Sequence, residues 1–172
     1  MNNYLRLINT RTQGLRYDVT PLFADYQAFS LLIDSFLSYF ASTEFHCVAG
    51  IDALGFILGT AIALRAEKGF IPIRKGGKLP GKSESVDFVD YTGLRKTLEL
   101  GTNALMPNTR VLIVDEWVET GAQMQAAIQL VERQGGIVAG IAAINIDDND
   151  VTRSLRKKYK CCSLWRDERD SH

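Results

Sequence analysis

The stretch VLIVDEWVETGAQMQAAI, residues 111–128, changes character in its middle. It begins with a continuous apolar run, which is typical of a central parallel strand buried on both faces, and it ends as a helix. At the junction stand the acids Asp115, Glu116 and Glu119, followed by the pair Thr120-Gly121. We therefore predict a strand, a turn and a helix, with the turn at the edge of the sheet where open α/β folds bind ligands.

The chemistry of this turn favours a sugar phosphate. A helix that opens at Thr120-Gly121-Ala122-Gln123 has backbone N–H groups without intrahelical acceptors, and these groups suit a phosphate. Ionised carboxylates accept hydrogen bonds from sugar hydroxyls. A phosphate on the helix start and a ribose on Asp115 and Glu116 would form a ribose-phosphate site. The alternative is that the two acids only cap and solvate the end of a strand.

The sequence on both sides of this turn alternates between helix and strand patterns. Apolar residues recur at three- and four-residue spacing from Thr20 to about Ala41, which predicts a helix with Thr20 as its cap and Pro21 in its first turn. The other predicted helices cover 55–67, 121–134 and about 150–158, and the predicted strands cover 45–51, 70–74, 110–116, 137–146 and 161–165. This order predicts right-handed βαβ units, a parallel sheet and the α/β fold class.

Residues 75–109 interrupt this alternation and are rich in Gly, Ser and Lys. Two strand-like runs on either side of Thr92-Gly93 could pair as a hairpin. Long excursions from compact domains are commonly functional lids or mobile loops, so we expect a lid here. Lys75 and Lys78 either attract an anionic ligand or simply face solvent.

The composition is that of a single globular domain covering residues 1–172. Its 20 Lys and Arg residues balance 20 Asp and Glu residues, so the net charge gives no electrostatic support for nucleic-acid binding. The N-terminal residues lack the pattern of a signal peptide, and no apolar run is long enough to span a bilayer. We expect a cytoplasmic protein that binds neither nucleic acid nor membrane.

The junction resembles the 5-phosphoribosyl-1-pyrophosphate (PRPP) signature of type I phosphoribosyltransferases, in which four apolar residues, two acids and three variable positions precede a Thr-Gly pair. Three other segments resemble the adenine phosphoribosyltransferases: YDVTPLFAD (17–25), VAGIDALGFILGTAIAL (48–64) and IPIRKGGKLPG (71–81). The matches run in order from about Gly14 to the last strand. The resemblance implies a type I phosphoribosyltransferase-like twisted parallel sheet flanked by helices, a small N-terminal hood at about 1–25 and a mobile lid loop at about 75–109.

The resemblance also implies a reaction, in which Mg²⁺-PRPP and a nitrogenous base, expected to be a purine, give a nucleoside 5′-monophosphate and pyrophosphate. Asp115 and Glu116 would bind the ribose 2′- and 3′-hydroxyls, and both are candidate Mg²⁺ ligands. The residues that would hold the 5′-phosphate are Thr120, Gly121, Ala122 and Gln123. Members of the family commonly pair, so we expect a homodimer.

Two further segments match parts of the family's active site. Asp52-Ala53 matches its pyrophosphate loop, which often has a non-proline cis peptide, and Arg74, Lys75 and Lys78 are candidates for binding the same pyrophosphate. Asp90-Tyr91 matches a Glu-Tyr pair on the family's lid that closes over the reacting centre. The resemblance therefore makes Asp90 and Tyr91 candidate catalytic residues.

The chain departs from the family pattern at the pyrophosphate and phosphate sites. Leu54 replaces an Arg that grips pyrophosphate in the adenine enzymes. Loss of such a charge-assisted hydrogen bond would weaken PRPP binding or turnover roughly ten- to a hundredfold, unless Arg74, Lys75 or Lys78 compensates. Ala122 and Gln123 replace a Gly and a Thr, which keeps the backbone donors but removes a hydroxyl.

The base site is less well defined. Glu119 is acidic, as in the hypoxanthine-guanine enzymes, where this residue acts in proton transfer at a purine nitrogen; it could serve as a catalytic base, or it could face solvent. Tyr17 could stack on a base and Trp117 could shape the base pocket, or both could be packing residues. The alternatives to an adenine enzyme are an enzyme for a 6-oxopurine or other base, and a non-catalytic protein that senses PRPP or a nucleotide.

Overall fold

A computed structural model of the chain describes residues 3–13 and 17–165. The remaining part of the predicted hood, together with the start of the family match near Gly14, lies outside the described residues. The helices are α1 (Thr20–Ala24), α2 (Tyr26–Tyr39), α3 (Leu54–Arg65), α4 (Ala122–Arg133) and α5 (Asp150–Lys158), after a 3-10 turn at Asn3–Leu7. The strands are β1 (Cys47–Ile51), β2 (Gly69–Lys75), β3 (Ser83–Val89), β4 (Arg95–Gly101), β5 (Arg110–Val118), β6 (Ile137–Ile146) and β7 (Cys161–Ser163).

The described strands form one seven-stranded sheet in the order β3-β4-β2-β1-β5-β6-β7. The run from β2 to β7 is parallel, whereas β4 pairs antiparallel with both β2 and β3. The chain moves from β1 outward to β2 on one side and from β5 outward to β6 on the other. A ligand crevice is expected at such a switch point, beyond the carboxyl ends of β1 and β5. The predicted α/β class and mostly parallel sheet are confirmed.

Strand β5 lies near the centre of the sheet and is covered on both faces. Val111 and Ile113 pack into a core with α4, while Leu112 and Val114 pack into a second core with α2 and α3. Successive side chains of a strand point to opposite faces, so a fully apolar run satisfies two cores at once. This double burial is why the run at the start of the quoted stretch forms a strand.

The sequence-based end of β5 was two residues too early. The strand continues to Val118, because pairing with β6 extends through Trp117↔Asn145 and Val118↔Ile146. Asp115 and Glu116 therefore lie inside the strand and not in the turn that follows it. Alternation along the strand then places their side chains on opposite faces.

The prediction of one helix over residues 20–41 was wrong. Asp25 has an extended backbone (φ −91°, ψ 112°), and its carboxylate accepts a hydrogen bond of 2.8 Å from the Ala28 N–H, which caps α2. Thr20 is also not a cap: α1 follows Val19 and has no side-chain cap, and the Asp18 carboxylate accepts from the Thr20 N–H. The cap at Asp25 thus divides the apolar pattern into two helices.

The hairpin predicted within residues 75–109 is present. Strands β3 and β4 pair from Ser83↔Gly101 to Val89↔Arg95, and β4 then extends the sheet beyond β2. The predicted last strand is shorter than expected, because the Leu164 and Trp165 N–H groups both donate to the Ile144 carbonyl. No helix in the described part of the chain is long and apolar enough to cross a membrane.

Candidate active site

A cavity of about 620 Å³ opens beyond the carboxyl end of β5. Its walls come from the end of β5, the start of α4, the residues after β2 and the β3–β4 hairpin. Charged side chains of both signs line it: the acids are Asp90, Glu99, Asp115 and Glu119, and the bases are Lys75, Arg95 and Lys96. A cavity of this size suits a small molecule, and its mixed charges suit a ligand that carries both anionic groups and hydrogen-bond donors.

Asp115 is the most deeply buried acid of this cavity, with a relative exposure of 7%. Its Oδ1 accepts a hydrogen bond of 2.8 Å from the Glu116 N–H, and its Oδ2 accepts one of 2.8 Å from the Gln123 side chain. Burial raises the pKa of the Asp115 carboxyl from 3.8 to about 7, against the opposing effect of these two donors. Hydroxyl donors from a ligand would favour the ionised form further.

Glu116 does not join Asp115 at the cavity. It is buried, with a relative exposure of 9%, but the cavity lining includes Asp115 and omits Glu116. Glu119 does line the cavity, because it follows the end of β5. The structure therefore brings together Asp115 and Glu119, where the sequence pattern favoured Asp115 and Glu116.

The loop before α4 depends on glycine. Gly121 has φ 82°, a left-handed conformation that side chains rarely adopt, and a Cβ built there would lie 2.7 Å from the Val151 Cγ1. The same end of α5 supplies a second contact, because the Asn149 side chain donates a hydrogen bond of 2.7 Å to the Glu119 carbonyl. Helix α4 has no side-chain cap at Gly121. An anion at this position can therefore satisfy N–H groups of its first turn.

Three of the four predicted phosphate ligands line the cavity at this turn. Thr120, Gly121 and Gln123 line the cavity, and the Thr120 Oγ1 accepts a hydrogen bond of 3.3 Å from the Ala122 N–H. Ala122 begins α4 and is not part of the lining. The Gln123 side chain turns toward Asp115, a contact that the sequence pattern did not reveal.

The predicted pyrophosphate loop follows β1, at the switch point of the sheet. The Asp52–Ala53 peptide is cis. Arg74 Nε lies 3.7 Å from Asp52 Oδ2, and Arg74 Nη1 donates a hydrogen bond of 3.0 Å to the Lys78 carbonyl. Among the residues predicted to bind pyrophosphate, only Lys75 lines the cavity; the others are Asp52, Ala53, Arg74 and Lys78.

Leu54 begins α3 and is partly buried against the core of that face of the sheet. It faces apolar neighbours at the position where the family pattern has a guanidinium. The structure thus shows Arg74 engaged with Asp52 and with the turn at Lys78, which leaves Lys75 as the predicted cation that reaches the cavity.

Glu99 on β4 lines the cavity and was not identified from the sequence. Its Oε1 accepts a hydrogen bond of 2.9 Å from the Gly77 N–H, and this donor lowers the pKa of the carboxyl. Its buried Oε2 has no hydrogen-bond partner among the described residues. The available signal was the acid at Glu99 between two apolar residues of a strand, Leu98 and Leu100.

Asp90 and Tyr91 lie at the tip of the β3–β4 hairpin and line the cavity. The Asp90 Oδ1 accepts hydrogen bonds from the Thr92 N–H at 2.9 Å and from the Leu94 N–H at 3.1 Å. Its hydrogen bond with the Thr92 hydroxyl lowers the pKa of the Asp90 carboxyl. The carboxylate therefore stabilises the turn, and the catalytic role of the pair stays a prediction.

Tyr17 and Trp117 belong to an aromatic cluster that also contains Trp165. The Tyr17 ring lies edge-on at 5.6 Å from Trp117 and 5.2 Å from Trp165, and the Trp117 indole N–H donates a hydrogen bond of 3.0 Å to Asp147. Trp117 lines the cavity, whereas Tyr17 does not. This arrangement favours a packing role for Tyr17 and leaves Trp117 as a candidate wall for the base. The sequence around Trp165 did not indicate that this residue packs against Tyr17 and Trp117.

The described residues contain no group of three or more His, Cys, Asp or Glu side chains that could hold a metal ion.

No protein-family model matches the chain. The adenine phosphoribosyltransferase of Dinoroseobacter shibae is 43% identical to it over 144 residues, which cover 83% of this chain and 80% of that protein. The chain belongs to the adenine phosphoribosyltransferase family. The resemblance read from the four sequence segments is confirmed.

Solved structures of the family have the same fold. The adenine phosphoribosyltransferase of Thermoanaerobacter pseudethanolicus superimposes with a TM-score of 0.85 at 31% identity, covering 94% of this chain and 96% of that one. The Giardia lamblia enzyme, in complex with 9-deazaadenine, superimposes with a TM-score of 0.86 at 25% identity and covers 96% of each chain. The departures at Leu54, Ala122 and Gln123 therefore occur within the fold of the adenine phosphoribosyltransferases.

Proposed function

We propose that the chain is a purine phosphoribosyltransferase that converts Mg²⁺-PRPP and a purine base to a nucleoside 5′-monophosphate and pyrophosphate. The observation that carries this proposal is the cavity at the switch point of the sheet, where Asp115 lies beside the uncapped start of α4. One side offers acceptors for a sugar, and the helix start offers donors for a phosphate. Family membership supports the same reaction and a role in purine salvage.

The binding roles follow from the hydrogen-bond acceptors at the end of β5 and the donors at the start of α4. Asp115 accepts hydrogen bonds from ribose hydroxyls, while Thr120, Gly121 and the first turn of α4 donate to the 5′-phosphate. Lys75, the last residue of β2, is the predicted cation placed to attract the pyrophosphate. We also infer that Mg²⁺ would enter with PRPP, with Asp115 as its candidate ligand from the chain. When bound, it would supply charge neutralisation for the departing pyrophosphate.

Catalysis then rests on positioning and electrostatics. As the bond between the ribose and pyrophosphate breaks, positive charge develops on the ribose, and the carboxyl groups of Asp115 and Glu119 line the cavity in which it develops. Binding of the base and the ribose in one cavity makes their reaction effectively unimolecular, which lowers the entropic part of the barrier. Glu119 would accept the proton that leaves the base nitrogen.

The identity of the base depends on Glu119 and Trp117. Family membership favours adenine, whereas Glu119, an acid at the position that is acidic in the hypoxanthine-guanine enzymes, favours a 6-oxopurine. We propose adenine as the first candidate and a 6-oxopurine as the second. The single carboxylate of Glu119 is the observation that supports the second candidate.

A product assay tests the proposal. The pure protein is incubated with Mg²⁺-PRPP and a mixture of adenine, hypoxanthine, guanine, xanthine and orotate, and the monophosphates and pyrophosphate are measured by mass spectrometry. We expect one purine monophosphate, which is lost in Glu119→Ala but kept in the control Glu84→Ala, because Glu84 lies outside the cavity lining. PRPP binding should survive Glu119→Ala.

A sensor that binds PRPP without turnover is the competing function. The apolar Leu54 at the predicted pyrophosphate loop supports it, because the loop lacks a guanidinium for the leaving group. Calorimetry distinguishes the two functions. The sensor would be favoured over the enzyme if PRPP binds in an Asp115-dependent way while no base gives a monophosphate.

We further propose a homodimer that pairs through α3. Ile57 and Leu64 lie seven positions apart on this helix and are 44% and 80% exposed. That spacing puts them on one face of the helix, where a second copy of the chain could cover them.

A further inference from the structure

The side chain of Gln123 reaches back from the first turn of α4 to the end of β5. Its Nε2 donates a hydrogen bond of 2.8 Å to the Oδ2 of Asp115, and both residues line the cavity. The second oxygen of Asp115 accepts from the Glu116 N–H at 2.8 Å. Each oxygen of the buried carboxylate thus has a donor supplied by the chain itself.

These two donors restrain the orientation of the Asp115 carboxylate. The last torsion of an Asp side chain is broad and roughly two-fold, so one backbone donor alone leaves the carboxylate plane poorly defined. Gly55, in the first turn of α3, lies near the same carboxylate: a Cβ built there would be 3.4 Å from the Asp115 Oδ1, which is an ordinary contact distance. The amide of Gln123 supplies the second point of attachment.

A carboxylate held in this way still has acceptor capacity. Each oxygen offers about two lone-pair positions, and the structure uses one on Oδ1 and one on Oδ2. A ligand hydroxyl can therefore bind the carboxylate while the Gln123 contact persists. The amide and the ligand share the acid instead of competing for it.

We propose that Gln123 is a positioning residue: its side-chain amide fixes the Asp115 carboxylate in the orientation that accepts a hydrogen bond from a ribose hydroxyl. This inference rests on the proposed function for the ligand, but the contact itself belongs to the free protein. It gives Gln123 a side-chain role toward the sugar, distinct from the backbone contact with phosphate that the sequence resemblance implies.

The contact is tested first without any ligand. In ¹⁵N-labelled protein, the side-chain NH₂ signals of Gln123 are assigned by their loss in Gln123→Met. We expect these signals to shift in Asp115→Ala and to stay in place in Asp34→Ala, an acid on α2 that lies outside the cavity lining. Unchanged Gln123 signals in Asp115→Ala would overturn the proposal.

The role toward the sugar is tested by calorimetry with ribose 5-phosphate, 2-deoxyribose 5-phosphate and 3-deoxyribose 5-phosphate. We expect Gln123→Met, which keeps the length of the side chain but removes its donor, to weaken ribose 5-phosphate binding about five- to tenfold. The loss should shrink to less than about twofold for the deoxy sugar that lacks the hydroxyl bound by Asp115.

The control is Gln125→Met, the same substitution at an exposed position of the same helix. We expect its affinity for each sugar phosphate to match that of the unmodified chain. Gln123→Leu is the second variant, and it should weaken ribose 5-phosphate binding in the same way because it also lacks the amide. Equal losses for all three sugar phosphates would overturn the proposal and assign Gln123 to the phosphate.

The remaining outcomes separate this inference from the proposed function. If the unmodified chain binds ribose 5-phosphate and Gln123→Met binds it equally well, the positioning role is wrong and the proposed function stands. The unmodified chain could instead bind neither PRPP nor ribose 5-phosphate while the Gln123 signals still depend on Asp115. In that case the proposed function is wrong, and so is the role of Gln123 in positioning the carboxylate for a ribose.

Discussion

At the scale of single residues, the site is governed by the burial of Asp115. An acid with little solvent around it must obtain its stabilisation from hydrogen-bond donors, and the chain supplies one from the Glu116 backbone and one from Gln123. The pKa of the carboxyl still rises to about 7, because desolvation outweighs these donors. The site therefore holds an acid whose charge is incompletely satisfied until a ligand arrives.

This burial predicts a pH dependence of stability. The Asp115 pKa rises from 3.8 to about 7 on folding, so between these values the folded chain keeps a proton that the unfolded chain has lost. The free energy of unfolding should therefore fall as the pH rises through this window. The variant Asp115→Asn is neutral at every pH. We expect its free energy of unfolding, minus that of the unmodified chain, to be larger at pH 8 than at pH 5. Urea unfolding at the two pH values measures this difference, and an equal difference at both would contradict it.

At the scale of elements, the site is formed where a strand, a loop and a helix meet. The extension of β5 to Val118 decides which acids face the cavity, and the N-terminal residues of α5 support the loop through Asn149 and Val151. The loop before α4 therefore depends on two elements that follow it in the chain. Changes at Gly121 and Leu54 test the two loops that flank the switch point.

Replacing Gly121 should damage the loop more than replacing a comparable turn glycine. Gly121 and Gly93 have nearly equal φ angles of 82° and 80°, but only Gly121 would place a Cβ against a neighbour, 2.7 Å from Val151. We expect Gly93→Ala to lower the free energy of unfolding by roughly 1 kcal/mol and Gly121→Ala by roughly 2–4 kcal/mol. Chemical denaturation measures both free energies of unfolding. Equal losses would show that the Val151 side chain moves to accommodate the added Cβ.

Restoring a cation at position 54 tests the predicted pyrophosphate loop. We expect Leu54→Arg to raise kcat/KM for PRPP about ten- to a hundredfold, because a guanidinium forms charge-assisted hydrogen bonds with pyrophosphate. Leu54→Gln is the matched control, since it is polar but uncharged. A similar gain in both variants would assign the effect to the loss of apolar packing around Leu54.

At the scale of the whole molecule, the order of the strands places the loops after β1 and β5 beside each other. The β3–β4 hairpin then extends the sheet past β2 and contributes a wall of the cavity. One sheet thus carries both the crevice at its switch point and the hairpin that forms one wall of the cavity there. Whether that hairpin moves as a lid, and whether the protein is cytoplasmic, stay predictions.

The proposed dimer is also a property of the whole molecule. We expect Leu64→Glu to shift the protein from a dimer to a monomer in size-exclusion chromatography with light scattering, because it places a charge in an apolar interface. Ile137→Glu is the control, since Ile137 is also exposed, at 41%, but lies on β6. A dimer that survives Leu64→Glu, or a monomeric unmodified chain, would exclude pairing through this face of α3.

The sequence by itself determined the α/β class, most strands and helices, the family, and the turn between β5 and α4. Those properties depend on local apolar periodicity and on short motifs, which are readable along the chain. The division of the first helix at Asp25 was missed, because a single capping side chain outweighed an otherwise continuous apolar pattern.

Only the tertiary structure decided which functional groups share the cavity. It separated Glu116 from Asp115, joined Gln123 to Asp115, and brought Glu99 to the same cavity. These outcomes depend on where β5 ends and on how the hairpin and α4 pack around it. The physical reason is that a side chain's partner is set by register and packing between elements, whereas periodicity along one element specifies only the face that it buries.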